Sequence, residues 1–275
     1  MNAVLQSKTR ARQVVSRSDG RQQHGITRLM RPSDLGELVK PFVFLDNFDI
    51  AGSRDLMAGM HPHSGLATVT VISEGAVEYI DTIGNRGTLA AGGVEWMQAG
   101  GGVWHSGAPS NGGAVRGFQL WVALQPEDEN GPAHAVFLAA DQVESSGPAR
   151  VILGSHGGAL SAIHTRASIN YLQVSLKDGE HWRYAPPAGH DVAWVALAKG
   201  QLQVAGAVLG KEIAVFDRSD TALDFVAQGD TEFVLGSAVK HPHPLVLGYY
   251  SVHTSPEALR QGEARIVQIQ AQLPT

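Results

Sequence analysis

The chain has 275 residues, of which 43% are hydrophobic and 17% charged, a balance that allows a sizeable folded core and argues against intrinsic disorder. Its net charge of −5 is unsuited to direct nucleic-acid binding, and the absence of cysteine excludes disulfides and thiolate metal sites. Because it lacks both a membrane-length apolar run and an apolar signal stretch, we expect a cytoplasmic protein without membrane contact.

The N-terminal segment carries the only concentration of basic residues, namely Lys8, Arg10, Arg12, Arg17 and Arg21. We interpret the segment as a solvated leading strand, since isolated basic runs are most often exposed.

Two strands joined by a turn at Glu74–Gly75 are predicted in the first half of the chain. Residues 66–73 (LATVTVIS) alternate in polarity and are rich in β-branched side chains, and residues 76–81 (AVEYID) continue the pattern. Residues 83–87 (IGNRG) contain Gly84, Asn85 and Gly87, which tolerate the positive φ angles of tight turns. A hairpin-type turn is therefore predicted directly after the second strand.

Further short strands follow at regular intervals. A polar stretch over residues 125–134 (QPEDENGPAH) is typical of a linker, and near the C-terminus Thr254, Pro256 and Glu257 match the capping box and first turn of a helix. Strands are predicted over residues 115–125, 169–176, 191–206, 211–217 and 231–239.

The two halves of the chain share a plan of strand, turn, strand, glycine turn and strand, over residues 71–100 and again over residues 196–229. With 32 glycines and few helical signals, the chain is predicted to be all-β, with two tandem jelly-roll-type barrels. We place the first barrel in residues 1–133 and the second in residues 134–275.

Histidines form the strongest chemical signal. His61 and His63 flank Pro62, and side chains two apart on a strand point to the same face. His105 follows three glycines and about three strands, which is enough chain to return to the first pair. Three imidazoles suit zinc, iron, copper, nickel, cobalt or manganese better than calcium or magnesium. An exposed strand carrying a histidine pair is the alternative.

A second His-Pro-His occurs at His241 and His243. Pro244 follows it directly, and proline does not serve in a central strand. No third ligand stands at a comparable spacing. We therefore interpret this pair as part of an extended connection.

The chain resembles the pirin family of the cupin superfamily in the segments HPHSGLATVTVISEGAVEYIDTIGNRG, AAGGVEWMQAGGGVWHSG and RGFQLWVAL. The resemblance implies two cupin barrels, with a metal centre in the first and usually none in the second. It implies His61, His63 and His105 as metal ligands, with iron the favoured metal and zinc, manganese, nickel, cobalt and copper left open. It also implies that the tail packs back on the first barrel.

Two carboxylates that the resemblance would supply are absent. Gly107 occupies the place of the glutamate ligand that follows the last histidine by two residues, and Ala67 occupies that of the cupin-type glutamate. Glu78 and Glu95 lie on neighbouring predicted strands, and we interpret both as surface carboxylates. Of Trp96, Trp104 and Trp121, we expect two to be ordinary core residues.

Two functions follow from the resemblance. The first is a metal-dependent dioxygenase of the quercetin 2,3-dioxygenase type, with a flavonol-like aromatic substrate and O2 as its partners. The second is a non-catalytic regulatory or redox-sensing protein in which the metal is weakened or lost because Gly107 replaces the glutamate. The sequence identifies neither a catalytic residue nor a protein partner.

Overall fold

The computed structural model describes residues 11–52 and 58–273 and confirms the all-β prediction, with two barrels joined side by side. Within those ranges the α-helices are α1 (Leu35–Val39) and α2 (Pro256–Gln270). Neither of them is long and apolar enough to cross a membrane.

The first barrel consists of a seven-stranded and a four-stranded antiparallel sheet. The larger sheet contains, in chain order, β2 (Arg21–Gln23), β3 (Ile26–Met30), β4 (Phe42–Ile50), β6 (Leu66–Glu74), β9 (Val94–Gln98), β11 (Val115–Ala123) and β12 (His134–Leu138). The smaller sheet contains β5 (Ala58–His63), β7 (Ala76–Asp81), β8 (Arg86–Ala90) and β10 (Val103–Pro109). The spatial orders are β12-β9-β6-β11-β4-β3-β2 and β5-β10-β7-β8.

The second barrel is built from one nine-stranded sheet. Its strands are β1 (Val14–Ser18), β13 (Ser145–Ser146), β14 (Ala149–Leu153), β17 (Ile169–Leu176), β18 (His181–Tyr184), β19 (Val192–Val204), β20 (Ala207–Leu209), β21 (Ile213–Phe216) and β22 (Leu223–Ala238). Two hairpins lie apart from these sheets, β15 (Ser155–His156) with β16 (Ala159–Leu160) and β23 (Val246–Gly248) with β24 (Ser251–His253).

Each half of the chain, divided at the predicted linker over residues 125–134, contributes one strand to the barrel of the other half. The N-terminal strand β1 pairs with β21 of the second barrel, and β12, which follows the linker, pairs with β9 of the first. Because each barrel takes one strand from the other half, the division into residues 1–133 and 134–275 remains a prediction.

The largest apolar core lies between the two barrels rather than inside either. The first barrel contributes side chains such as Leu45, Val69 and Trp96, and the second contributes side chains such as Tyr171 and Trp194. The rings of Phe42 and Trp194 meet edge to face, with centroids 5.4 Å apart. A shared core of this kind holds the barrels together.

The interior of the second barrel is filled by apolar side chains, including Leu172, Val174, Val195, Phe225 and Phe233. Strands that bury apolar residues on both faces read as near-continuous hydrophobic runs, as residues 192–198 do. The first barrel has alternating polar residues on its strands instead, and this difference leaves room for a polar cavity.

The predicted strands are present, but the predicted helix cap was wrong by one residue. Ser255, not Thr254, is the N-cap of α2, and its hydroxyl accepts a hydrogen bond from the backbone N–H of Ala258 at 3.1 Å. Thr254 instead donates its hydroxyl to Glu129 at 2.7 Å. The tertiary contact with Glu129 decided between two adjacent hydroxyl residues.

The solvated N-terminal strand was only partly correct. Arg17 and Arg21 are exposed, but Arg12 is buried and donates hydrogen bonds to the backbone carbonyls of His190, Ser219 and Thr221. These carbonyls compensate the guanidinium for its lost hydration. Lys8 and Arg10 lie outside the described residues.

The C-terminal tail lies against the first barrel through the hairpin β23–β24 and helix α2. Ser64 donates a hydrogen bond to Ser251 at 2.9 Å, and its oxygen is 3.0 Å from Nε2 of the buried His253. The indole N–H of Trp104 donates to the carbonyl of Ile266 at 2.8 Å. These contacts bring the tail beside the strands that carry His63 and His105.

We expect Gly65→Ala to destabilise the protein because the new Cβ would lie 2.0 Å from the Val252 carbonyl oxygen, at a φ of +75°. Gly206→Ala is the matched control, since Gly206 has the same φ of +75° and no atom within 4 Å of its Cβ position. Both variants carry backbone strain of about 1–2 kcal/mol. Urea unfolding should show a larger loss for Gly65→Ala, and equal losses would contradict a tight contact with the tail.

Candidate metal centre

The three histidines of the sequence prediction converge at one point. His61 and His63 lie on β5, and the antiparallel register of β5 with β10 places His105 directly opposite His61. One ring nitrogen from each histidine lies within 4.8 Å of the other two. The Nε2 atoms of His61 and His105 are 3.1 Å apart. Nitrogens bound to one ion at about 2.0–2.1 Å, with angles of about 90–110° between them, are separated by roughly 2.9–3.4 Å.

Burial keeps these imidazoles neutral. Desolvation lowers the pKa of all three, and for His63 and His105 the other histidines of the cluster lower it further. The pKa of His63 falls to about 3. Metal ligands must be deprotonated, so a cluster that stays neutral well below pH 7 is ready to bind a cation.

The hydrogen bonds of the rings fit a metal site. Nδ1 of His61 donates to the Gly59 carbonyl at 2.7 Å, and Nδ1 of His63 donates to the Tyr250 carbonyl at 3.0 Å. A carbonyl only accepts, so each Nδ1 carries the proton and each Nε2 keeps its lone pair. Nε2 of His63 is buried without a hydrogen-bond partner. A buried orphan lone pair beside two more imidazoles is the arrangement that a metal ion would satisfy.

A cavity of about 560 Å³ opens beside the cluster and is lined by both His61 and His105. One wall is aromatic, with Phe44 and Trp121 stacked at 4.1 Å between ring centroids. Tyr250 also lines the cavity, and its ring centroid lies 5.3 Å from that of His61. A cavity of this size and lining suits a small aromatic molecule.

Trp121 alone of the three tryptophans considered lines this cavity, as expected for one of the three. Trp96 lies in the core between the barrels. Trp104 is buried against the tail through its bond to Ile266.

A row of polar side chains lies beside this aromatic pair on the same sheet, and the Arg28 guanidinium at its end lies over the Phe44 ring, 4.5 Å from the ring centroid. Its members are cross-strand neighbours in the seven-stranded sheet and all line the cavity, namely Glu95, Thr70, Gln119, Asp46 and Arg28. The residue next to each of them along its strand faces the core between the barrels, because side chains alternate across a sheet.

Two of the three charged side chains in this row form an ion pair with each other, and the third, Glu95, does not. Arg28 donates two hydrogen bonds to Asp46, at 3.0 and 2.9 Å, which makes a neutral ion pair. Glu95 has no cation partner among the described residues, and its Oε2 accepts a hydrogen bond from Thr70 at 2.8 Å. Burial, the largest cause, together with the charge of Asp81, raises the pKa of Glu95 from 4.5 to about 7.

The interpretation of Glu95 as a surface carboxylate was therefore wrong, whereas Glu78 is exposed as expected. Glu95 alternates with Val94 and Trp96, which face the core between the barrels, so its own side chain must face the cavity. The alternation was visible in the sequence. Which face of the strand lines a cavity was not.

The two positions where glutamates were expected differ in their surroundings. Gly107 lines the cavity two residues after His105, and a Cβ there would lie 3.2 Å from Val77. Ala67 instead faces the apolar core between the barrels. A carboxylate at residue 67 would not reach the histidines, so only Gly107 bears on the chemistry of the cluster.

The second histidine pair lies in an irregular connection after β22. His241 is buried, and its Nδ1 is 3.2 Å from the side-chain nitrogen of Gln125. The backbone carbonyl of His243 accepts a hydrogen bond from Lys40 at 2.8 Å. Both contacts fasten the connection to the first barrel.

Fold and cluster together define the class: a two-barrel cupin protein with a histidine cluster in its first barrel. The pirin family profile matches residues 23–122. A tomato (Solanum lycopersicum) pirin-like protein is 32% identical over 208 residues, covering 69% of this chain and 70% of its own length. The chain belongs to the pirin family.

Two further relatives carry the name of an activity. A Pseudomonas aeruginosa protein provisionally named quercetin 2,3-dioxygenase is 32% identical over 243 residues, covering 82% of this chain and 83% of its own length. The crystal structure of a quercetin 2,3-dioxygenase from Acinetobacter baumannii superposes with a TM-score of 0.85 at 24% identity, covering 95% of this chain and 98% of that one. The superposition on the Acinetobacter baumannii structure supports the fold.

We expect Glu95→Gln to stabilise the metal-free protein at alkaline pH. An unfolded glutamate ionises near 4.5 and the buried one near 7, so wild type loses stability as pH rises between these values. The loss should reach about 3 kcal/mol above pH 7, and glutamine, which does not ionise, should avoid it. Urea unfolding at pH 5 and pH 8.5 measures the difference. The exposed Glu78→Gln is the control, and equal behaviour of the two variants would contradict the burial of an ionisable group at residue 95.

Proposed function

We propose that this protein is a metal-dependent dioxygenase of the quercetin 2,3-dioxygenase type, acting on flavonol-like aromatic molecules. The observation that carries the proposal is the convergence of three neutral imidazoles on the wall of a cavity with an aromatic lining. His61, His63 and His105 would hold one divalent transition metal. Iron is favoured by the resemblance of the sequence, and zinc, manganese, nickel, cobalt and copper are also compatible with imidazole ligands.

The metal, when bound, would supply the redox and Lewis-acid chemistry that couples O2 to an aromatic enol or diol. The chain itself supplies binding and orientation. The stacked Phe44 and Trp121 offer a flat apolar surface for an aromatic ring, and the polar row beside them on the same sheet offers hydrogen-bond partners for its hydroxyl groups. The carbonyls of Gly59 and Tyr250 hold the rings of His61 and His63 in the orientation that turns Nε2 inward.

A non-catalytic regulatory or redox-sensing role is the second candidate, and Gly107 is the observation that favours it. Without an anionic ligand, a divalent ion on three neutral imidazoles keeps its full charge and is held less tightly. A weakly held metal suits a sensor better than an enzyme that must stay loaded.

We expect purified protein to bind one equivalent of a divalent transition metal and His105→Ala to lose more than about 100-fold in metal affinity. Losses of hydrogen bonds to metal ligands already cost roughly 10–100-fold, and removal of a ligand should cost more. His243→Ala, from the second histidine pair, is the control and should bind as wild type does. Elemental analysis and metal titration measure the effect.

Oxygen uptake with a flavonol then separates the two functions. Uptake by the loaded wild type, lost in His105→Ala, supports the dioxygenase. A wild type that binds metal but consumes no oxygen with any flavonol or catechol supports the regulatory role. Equally low metal in wild type and in His105→Ala would refute both metal-dependent forms.

We expect Gly107→Glu to raise metal affinity by about tenfold or more, which corresponds to about 1.4 kcal/mol or more. The new side chain would start from the cavity wall beside His105, and the one contact of its Cβ shorter than ordinary packing is with Cγ1 of Val77 at 3.2 Å, so that a shift of a few tenths of an ångström accommodates it. Gly210→Glu adds the same charge in the second barrel, at a position with open space around its Cβ, and should leave metal affinity unchanged. Equal affinities of the two variants would show that residue 107 does not face the metal.

A further inference from the structure

Glu95 is a buried carboxylate that forms no ion pair with any described residue. It is 7% exposed, it lines the same cavity as His61 and His105, and Thr70 holds one of its oxygens. No described residue donates a hydrogen bond to the other oxygen, Oε1. A buried carboxylate is normally compensated by more partners than one hydroxyl, so this side chain is poised for a group that enters the cavity.

We propose that Glu95 is the proton acceptor for a hydroxyl group of an aromatic substrate bound in this cavity, replacing from the sheet wall the carboxylate that is absent at Gly107. This inference rests on the proposed function, because it concerns the same cavity. It assigns a role to a side chain that the metal ligands do not need.

The other carboxylates near the cavity are already engaged. Asp46 accepts both hydrogen bonds of Arg28. Asp81 accepts hydrogen bonds from the backbone N–H groups of the β7–β8 turn on Oδ1 and from the Asn85 side chain on Oδ2. Glu78 is exposed and accepts a hydrogen bond from Ser110. Glu95 alone among these four is both buried in the cavity and short of partners.

The proton transfer balances without a further reactant. The O–H bond of the substrate hydroxyl breaks, its electron pair stays on the substrate oxygen, and a new O–H bond forms on Oε1 of Glu95. Thr70 continues to donate to Oε2 and keeps the carboxyl plane in place. The product of the step is an aromatic oxyanion, the form that is more readily oxidised and that a cation at the histidine cluster would attract.

The charged environment suits this task. The titratable groups whose charges act on or respond to Glu95 are Asp81 and Tyr79 on β7, while His61 and His105 line the same cavity as neutral rings and Arg28 on β3 is neutralised by Asp46. None of them supplies Glu95 with a cation. Its pKa of about 7 is close to the value at which a general base works best near neutral pH.

The test uses metal-free protein and 3-hydroxyflavone, a flavonol whose absorbance distinguishes the neutral from the ionised hydroxyl. We expect wild type to bind the flavonol and ionise it at pH 7.5. In Glu95→Gln the ionised fraction should fall by about tenfold or more, with little change in the dissociation constant. Glu78→Gln should behave as wild type. Glu95→Asp, which withdraws the carboxylate by one methylene, should give an intermediate fraction and serves as a second variant should the glutamine form fold poorly.

A gain-of-function variant sharpens the test. Gly107→Glu in the Glu95→Gln background should restore ionisation, because it returns a carboxylate to the same cavity from the opposite wall. Equal ionisation in wild type and Glu95→Gln, or no ionisation by wild type, would overturn the proposal. The dioxygenase function is judged separately by oxygen uptake of the metal-loaded protein. If Glu95→Gln fails to ionise the flavonol and metal-loaded wild type takes up no oxygen, the dioxygenase proposal is refuted. The role of Glu95 as a proton acceptor is then still supported.

Discussion

The register between β5 and β10 is the constraint on which the site depends. Because His105 is paired directly with His61, three imidazoles reach one point from only two strands. A shift by one residue would turn His105 to the other face of its strand. Gly65, which bends the chain after β5 and lies against the Val252 carbonyl, helps to hold this register by bringing the tail alongside.

The tail completes the site from the far end of the sequence. The Tyr250 carbonyl orients His63 across 187 residues of chain, and the Tyr250 ring lines the cavity beside His61. The geometry of the histidine cluster in the first barrel thus depends on a segment that follows the second barrel. This dependence gives the hydrogen bonds of Ser64 and Trp104 with the tail a functional as well as a structural meaning.

The interiors of the two barrels differ in polarity, and this difference places the cavity in the first barrel. Apolar side chains occupy the interior of the second barrel, and the largest core lies between the barrels. The outer face of the first barrel's large sheet is buried against the second barrel, and apolar side chains such as Phe48, Ile72 and Val77 fill part of the first barrel's interior. The inner face of the large sheet carries the polar row from Glu95 to Arg28. The shared apolar core contributes the stability that offsets the cost of burying a carboxylate with one hydroxyl partner.

Local sequence patterns determined the all-β fold, most strand positions and the two histidines on one face of β5, because strand periodicity and turn residues act over a few positions. The resemblance of the sequence to pirins then assigned the three histidines as expected metal ligands and revealed the missing glutamate at Gly107. Tertiary structure alone decided which face of each strand lines the cavity. That decision made Glu95 a buried side chain, turned Ala67 into the core between the barrels and gave the N-cap to Ser255. The physical reason is that alternation separates the two faces of a strand but does not say which of them a second barrel will cover.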